Sequence, residues 1–542
     1  MRLSWNPLYR VHLVPAEGVF LLADSAPSPI LLDDARVVAL APLLADGDHT
    51  AAQLATHSTL KSISPAEIYF TLNWLREKQY IIELADPATQ KERISYPTAV
   101  NTTHIHLTAV DNSLTLPPTA GLHIVPDDQP APLRLVLTSD EQDPALAEIN
   151  QRQLASGQAW LLARPTGQAL AAFFAPPASA CWACVAERWR NLRPTRTYLD
   201  ENWPGTRLVL AHAPAIHPNT AVWLADLLAQ VVAEGEQHGR VWLGHAPAEP
   251  YPITKRPQCP VCGDPSHMRR QQSAPPQLTD LPSATEMTAS PSGQRRVPTA
   301  EMLARLAPHM NPVTGLVRAV QPTLRGALWA ATTQHNVALP HADWRSLRKL
   351  VRGRAGGKGR TAEQATLSAV AETIERYTAV WQGDEPVTHA RLGDLPNMHH
   401  PHELLLFSAA QYAGREAWNR TAPPFNFVPE PFDPAQKIGW SAVWSVLTGE
   451  QHWVPTALLY YGYAQKMGAT FGRADSNGCA AGSSPAEAFV QGFMEVVERD
   501  AVALWWYNRV LRPAVAWETW GDAGMAQAIE QLWREEGREV WF

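Results

Sequence analysis

Apolar and polar positions divide the chain into three stretches with different periods. In the first, residues 1–90, alternation at Tyr9–Val14 and Val19–Leu22 predicts two strands. The apolar run Ala35–Leu44, preceded by Asp33 and Asp34, predicts a capped helix. Thr50 then leads a short helix, Ser64 with Pro65 and Glu67 opens a second one reaching about Lys78, and Tyr80–Leu84 returns to strand character. That order predicts a winged helix-turn-helix. Its second helix sets Arg76 and Lys78 against Glu67 and Glu77, a balance that disfavours DNA. A peptide added along the edge of the wing strand suits it better, and a packing module without a ligand is the plain alternative.

Residues 91–265 predict a middle α/β domain. Residues 85–121 are polar and contain prolines, and strand character resumes at Leu122–Val125, Leu133–Leu137, Trp160–Ala163, Ala169–Phe174 and Arg240–Leu243. Helices are expected at about Pro144–Leu154 and Ala221–Glu234. The domain carries no G-x-G-x-x-G fingerprint, so no dinucleotide is placed in it. Residues 266–299, rich in Pro, Ser and Gln, read as a linker or mobile loop. In the third stretch, 300–542, strands are expected at Gly315–Val320, Leu328–Ala331 and Trp440–Leu447, and long helices at Ala362–Val380 and Pro485–Tyr507.

Composition narrows the function classes. With 542 residues and 45% apolar content, the chain can build several cores, which makes a multidomain α+β protein the expected fold class. Its 45 basic against 52 acidic residues leave a net charge of −7, so no nucleic-acid partner is expected. The basic patch from Arg345 to Arg360 would serve only a smaller anion. No signal-like start and no long uncharged apolar run is present, so a cytoplasmic protein without a membrane partner is expected.

Four of the five cysteines form two C-x-x-C knuckles, Cys181/Cys184 and Cys259/Cys262, with 74 residues between them. Two-residue spacing lets both thiolates of a knuckle reach one tetrahedral ion, and two knuckles close the shell, which points to structural Zn2+. A thioredoxin-like redox pair and buried free thiols are the alternatives. Cys479 stands alone and reads as a packing or turn residue.

The strongest chemistry lies in the two long helices. The first contains Ser368-x-x-x-Glu372-x-x-Glu375-Arg376, and the second contains Glu487, Glu495, Glu498 and Arg499. Offsets of three, four and eight place each set along one stripe, embedded among apolar residues. Such carboxylates are expected to be partly buried and to need cations, and their arginines offer fork-shaped donors to phosphates. Two stripes that meet can hold Mg2+ and a nucleoside triphosphate. Before the first helix runs Gly353–Thr361 with Lys358, a flexible basic stretch that does not match the P-loop spacing. Before the second runs Asp475–Ser484, where Ser483 and Ser484 can face a nucleotide. Solvated E-x-x-E pairs on unrelated helices are the bland alternative.

Gly357-Lys-Gly359, the Ser368–Arg376 motif, Ser476–Gly482 and the glutamates that follow together resemble the YcaO family of ATP-dependent enzymes, which activate a peptide amide. The whole chain is similar to a fused azoline-forming cyclodehydratase. Residues 1–90 correspond to its leader-peptide recognition domain, and 91–265 to an E1-like zinc domain. The middle resemblance rests on Pro144–Leu146, Ile149-Asn150, Trp160, and Cys181-x-x-Cys184 with Arg188.

The resemblance implies that Glu372, Glu375, Glu495 and Glu498 hold two Mg2+ ions. It places Glu487, Ser368, Arg376 and Arg499 near ATP, Lys358 and Thr361 near its phosphates, and Ser483 where the family often has Asn. It implies an ATP-dependent cyclodehydratase making azolines from Cys, Ser or Thr of a ribosomal precursor peptide. An azoline oxidase and a second copy of the chain are the further partners it suggests. YcaO domains usually continue well past the second helix, whereas 43 residues follow Arg499 here, so a truncated YcaO domain is expected, competent once that region is present or supplied. A non-catalytic escort of the precursor and a thioamide-forming relative are the competing readings. The catalytic base is not assigned.

Overall fold

A computed structural model describes the chain apart from residues 24–28, 85–102, 111–113, 115, 117–121, 212–215, 217, 237, 245–248, 279–288, 291–292, 327, 334–354, 423–425, 517–522, 536 and 538–542. Two compact units divide near Gly263/Asp264. The architecture is multidomain α+β, and no helix among the described residues is long and apolar enough to cross a membrane.

The first unit begins with β1 (Arg2–Trp5), β2 (Tyr9–Val14), β3 (Gly18–Ala23) and β4 (Ile30–Leu32). Helices α1 (Ala35–Asp46), α2 (Ala51–Ala55) and α3 (Pro65–Glu77) follow, then β5 (Ile81–Leu84). Strands β2, β3 and β4 form one antiparallel sheet, while β5 pairs with β1. The helix starts are those the sequence marks. Asp34 caps α1, and Thr50/Gln53 and Ser64/Glu67 each close a reciprocal capping box. Trp5, Val11, Leu21, Leu40, Leu44, Ile68 and Leu72 fill the core beneath them. Two strands lie outside the predicted elements, β1 and β4, both too short to show an alternation.

The rest of this unit is a seven-stranded sheet ordered β12-β11-β10-β9-β8-β6-β7. Its strands are β6 (Thr103–Ala109), β7 (Leu122–Ile124), β8 (Leu133–Leu137), β9 (Ala159–Arg164), β10 (Leu170–Phe174), β11 (Arg240–Leu243) and β12 (Tyr251–Pro252). Helices α4 (Leu146–Ser156), α5 (Trp182–Leu192), α6 (Pro194–Asn202) and α7 (Pro218–Ala233) accompany it. Pairs β6/β7, β6/β8 and β8/β9 are parallel, and the remainder antiparallel. Alternation sends Leu135, Leu137, Leu161 and Ala163 to one face, packed with α7, and Val136, Trp160 and Leu162 to the other, packed with α5. A sheet covered on both faces reads as continuous apolar runs, which is why β8 to β10 were legible.

These two parts of the first unit are joined by chain and by charge. Leu13 N donates to Thr206 O and Leu208 N to Val11 O, both at 2.8 Å, so residues 206–208 close the outer edge of β2. Beside this seam, Asp140 and fully buried Glu141 gather five arginines. Arg10 of β2 and Arg196 of α6 reach both carboxylates. Arg207 reaches Asp140, while Arg164 and Arg193 reach Glu141. Burial alone would raise both carboxyls, but Arg10 and Arg196 hold Asp140 well below the usual range, and Arg164 and Arg10 do the same for Glu141. His12 at the same seam is pushed down to about 4 by burial and by Arg207, and is neutral.

The second unit holds α8 (His267–Gln272), β13 (Ala289–Ser290), β14 (Gly293–Gln294), α9 (Thr299–Leu306), β15 (Val320–Arg325), β16 (Leu328–Thr333), β17 (Gly356–Gly359) and α10 (Ala362–Thr378). It continues with β18 (Thr388–Ala390), α11 (Pro401–Leu405), α12 (Ala409–Thr421), β19 (Ile438–Trp444), β20 (Gln451–Pro455), α13 (Tyr463–Met467), α14 (Pro485–Tyr507) and α15 (Ala523–Glu535). Sheet β15-β16-β17 packs on α10, and sheet β18-β19-β20 surrounds buried Trp440. The strand expected at Gly315–Val320 instead runs from Val320 to Arg325. As an exposed edge strand it tolerates Pro322 and shows no apolar run. The stretch read as a linker contains α8, whose last residue is fastened to β19: Trp444 Nε1 donates to Gln272 O at 3.0 Å.

Candidate active site

The first half of the site is built by β17 lying directly on α10. A Cβ at Gly357 would stand 2.2 Å from Ala365 O, and one at Gly359 2.5 Å from Gln364 Cβ, so the glycines serve close strand–helix approach. Gly356–Gly359 is therefore a paired strand, correcting the expectation of a flexible loop there; residues 353–354 of that stretch lie outside the described set. Lys358, between the two glycines, is exposed. Thr361 caps α10, its hydroxyl accepting from Gln364 N at 3.2 Å. One turn and more along, Ser368 is exposed, and Glu372 accepts the Gly356 amide at 2.8 Å and Arg376 NH2 at 3.4 Å. Arg376 NH1 stands 3.7 Å from Glu375 and donates to the Tyr461 hydroxyl at 3.2 Å.

The second half repeats this grammar. Glu495 of α14 accepts the Gly478 amide at 3.1 Å and Arg499 NH2 at 3.1 Å. The loop before α14 lies tight against the helix, since a Cβ at Gly492 would meet Gly478 O at 2.4 Å and one at Gly482 would meet Ala488 N at 2.5 Å. Ser484 caps α14. Ser483 donates from N at 2.9 Å and from Oγ at 2.8 Å to buried Glu487, whose other oxygen accepts Arg296 N at 2.7 Å. Burial pushes the Glu487 carboxyl up, but these amide donors outweigh it and hold it low. Glu487 and Ser483 thus fasten the loop and the Arg295–Arg296 segment to the start of α14.

The two halves converge electrostatically. Burial, followed by the charges of Glu372 and Glu495, pushes Glu375 up to about 7 against the opposing pull of Arg376. Three carboxylates from two helices therefore crowd one place, which is what a hard cation with oxygen ligands requires. Glu498 and Arg499 are exposed, as are Phe493, Met494, Val496 and Val497 around them, so the apolar packing expected along α14 holds only at its first turns. Cys479, read as a turn residue, lies in this same field: burial and then Glu375 push its thiol up. Tyr461 and the Arg295–Arg296 pair carry no motif signal. His400 caps α11 and His402 Nε2 accepts Phe432 N at 3.2 Å, so the histidines near 400 are half-buried structural groups, not surface ones.

The four knuckle cysteines also meet, in the first unit. Cys181 and Cys259 sulfurs are 3.7 Å apart, Cys184 and Cys262 3.5 Å, and all four lie within 4.8 Å of one another. A tetrahedral ion with metal–sulfur bonds of about 2.3 Å separates its ligands by about 3.8 Å. Gly263 permits the second knuckle, since a Cβ there would stand 2.3 Å from Pro257 O.

Residues 356–542 match the protein family described as YcaO cyclodehydratase, ATP- and Mg2+-binding. Among solved structures, a heterocyclase in complex with substrate and cofactor superposes with a TM-score of 0.68 at 30% identity, covering 100% of this chain and 76% of that one. The heterocyclase TruD superposes with a TM-score of 0.59 at 26% identity, covering 100% of this chain and 75% of that one. An uncharacterized protein of Methanothermobacter thermautotrophicus is 28% identical over 149 residues, 27% of this chain; the match spans about a third (33%) of that curated relative.

Proposed function

Because this chain belongs to the YcaO family, we propose that it performs ATP-dependent cyclodehydration, converting Cys, Ser or Thr of a ribosomally made precursor peptide to azolines. The observation that carries this reading is the convergence of Glu372, Glu375 and Glu495, whose mutual repulsion shows in the raised Glu375 carboxyl. These three, with Glu498, would hold Mg2+, which supplies charge neutralisation to a bound triphosphate. Lys358, Arg376 and Arg499 supply cationic donors to its phosphates, with Ser368 beside them. Thr361, Ser483 and Glu487 already spend their hydrogen bonds on caps and on the loop, so they shape the site from behind.

The substrate thiol or hydroxyl adds to the preceding amide carbonyl, and the resulting oxyanion takes the γ-phosphoryl group of ATP, releasing ADP. Loss of phosphate and a proton then forms the C=N bond, so the oxygen of the removed water leaves on phosphate. The amino-terminal part would bind the leader of the precursor and raise its local concentration. It offers β4 as an edge strand, whose outer side pairs with nothing among the described residues, and exposed Tyr69 and Phe70 on α3. The four-cysteine cluster would hold Zn2+ structurally, closing the excursion between Cys184 and Cys259.

The test is ATP hydrolysis with and without a leader-bearing, Cys-containing peptide, read beside the peptide mass. Peptide-stimulated hydrolysis with loss of one water per ring supports the reading. Tight peptide binding with neither change assigns an escort role instead.

A further inference from the structure

Tyr461 lies outside both E-x-x-E-R helices, yet its phenol reaches the first of them. The oxygen accepts a hydrogen bond from Arg376 NH1 at 3.2 Å, while the same guanidinium faces Glu372 at 3.4 Å and Glu375 at 3.7 Å. The backbone of Tyr461 is fixed to the end of α10. Its N–H donates to Ala379 O and its carbonyl accepts from Trp381 N, both at 2.9 Å, in parallel register with Val380. Trp381 is wedged edge-on between Tyr460 and Tyr463, which stiffens the same turn. On its other side the phenol meets the loop that feeds α14: the Ser476 hydroxyl hydrogen-bonds to it, and Cys479 lies within electrostatic reach. Tyr461 therefore stands between α10 and that loop.

A guanidinium held only by two carboxylates loses its anchor when those carboxylates turn to a metal ion. Among the described residues, Glu372 and Glu375 are the ion-pair partners of Arg376. The phenol is a neutral acceptor that no cation would compete for strongly, mounted on the helix that carries the arginine. We propose that Tyr461 is a positioning residue for the ATP-dependent step. It keeps Arg376 in place when Glu372 and Glu375 take up a cation, leaving the remaining guanidinium donors for an anion, and ties that arginine to the Ser476–Gly482 loop. This rests on the ATP-dependent reading above.

The test uses the full chain with Mg-ATP and a leader-bearing Cys peptide. Tyr461→Phe keeps the ring and both backbone bonds, so the thermal midpoint should stay near wild type. Loss of a hydrogen bond to a charged group should lower kcat for ATP hydrolysis about tenfold and raise the Mg2+ concentration for half-maximal rate, with peptide affinity unchanged. In an Arg376→Ala background the same change should add less than about twofold, because the two act as one unit. A wild-type rate for Tyr461→Phe overturns the proposal. So does an undiminished tenfold loss in the Arg376→Ala background, or a lowered midpoint with kcat intact. Wild-type protein that neither binds nor hydrolyses ATP overturns the underlying reading itself, and the proposal with it.

Discussion

Helices α10 and α14 carry the same five-residue signature and fold it locally in the same way, yet they end in different surroundings. In each, the first glutamate accepts a glycine amide from the preceding segment and an arginine four residues on: Gly356 and Arg376 for Glu372, Gly478 and Arg499 for Glu495. Beyond that the likeness stops. Arg376 exposes 16% of its side chain and has Tyr461 as a third partner, whereas Arg499 exposes 56% and, among the described residues, pairs with Glu495 alone. The sheet β15-β16-β17 covers α10 at Ala365 and Ala369, while α14 buries only Ala486, Glu487 and Gly492. Spacing within a helix dictates its own hydrogen bonds; the dielectric around them is set by whatever the chain brings back from elsewhere.

The contrast can be broken in graded ways. The largest effect is expected for Glu375→Gln and Glu498→Gln, each lowering ATP turnover by about 10³-fold or more while leader binding stays near wild type. Thermal melting of the metal-free protein should separate them. Glu375→Gln raises the midpoint because it relieves crowding with Glu372 and Glu495, and Glu498→Gln leaves it unchanged. Loss of leader binding in either variant would contradict the division of labour.

Next in size, Gly357→Ala should destabilise by about 3 kcal/mol, because its Cβ would stand 2.2 Å from the Ala365 carbonyl. Gly356→Ala, with open space up to 4.0 Å, should cost less than about 1 kcal/mol in the same denaturant titration. Equal effects would show that β17 does not lie on α10 as described.

A smaller effect concerns pH. The Glu375 carboxyl is raised from its ordinary 4.5 to about 7, so the folded state holds its proton more tightly than the unfolded chain. Metal-free stability from this group should fall as pH rises through that window, and saturating Mg2+ should flatten the dependence. Glu495→Gln should weaken the slope. A stability rising over the same pH range in metal-free protein, and unaffected by Glu375→Gln, would contradict the crowding.

Much of this was legible in the residues themselves. The capping pairs Thr50/Gln53 and Ser64/Glu67 are local, and β8 to β10 are apolar because both faces are covered. Strand β6 was missed because its buried positions include Thr103 and His106, whose ring meets Gln129 O at 2.8 Å; polar residues satisfied by distant partners look like loop. The run Gly356–Gly359 looked flexible, and it forms a strand because only glycine lets the backbone come that near a helix. The four glutamates could be chosen by offset, but Tyr461 reaches Arg376 across 85 residues of sequence, and no periodicity encodes that.

The salt-linked seam around Asp140 and Glu141 bears on how such proteins can be recombined. Arg10 comes from the amino-terminal part, and four other arginines come from the sheet and helices beyond it. Grafting a foreign front end that lacks an arginine at that place would strand carboxylates in a dry interior, costing about 3–5 kcal/mol. Chimeras designed to change peptide preference would therefore have to inherit this ionic joint as a set.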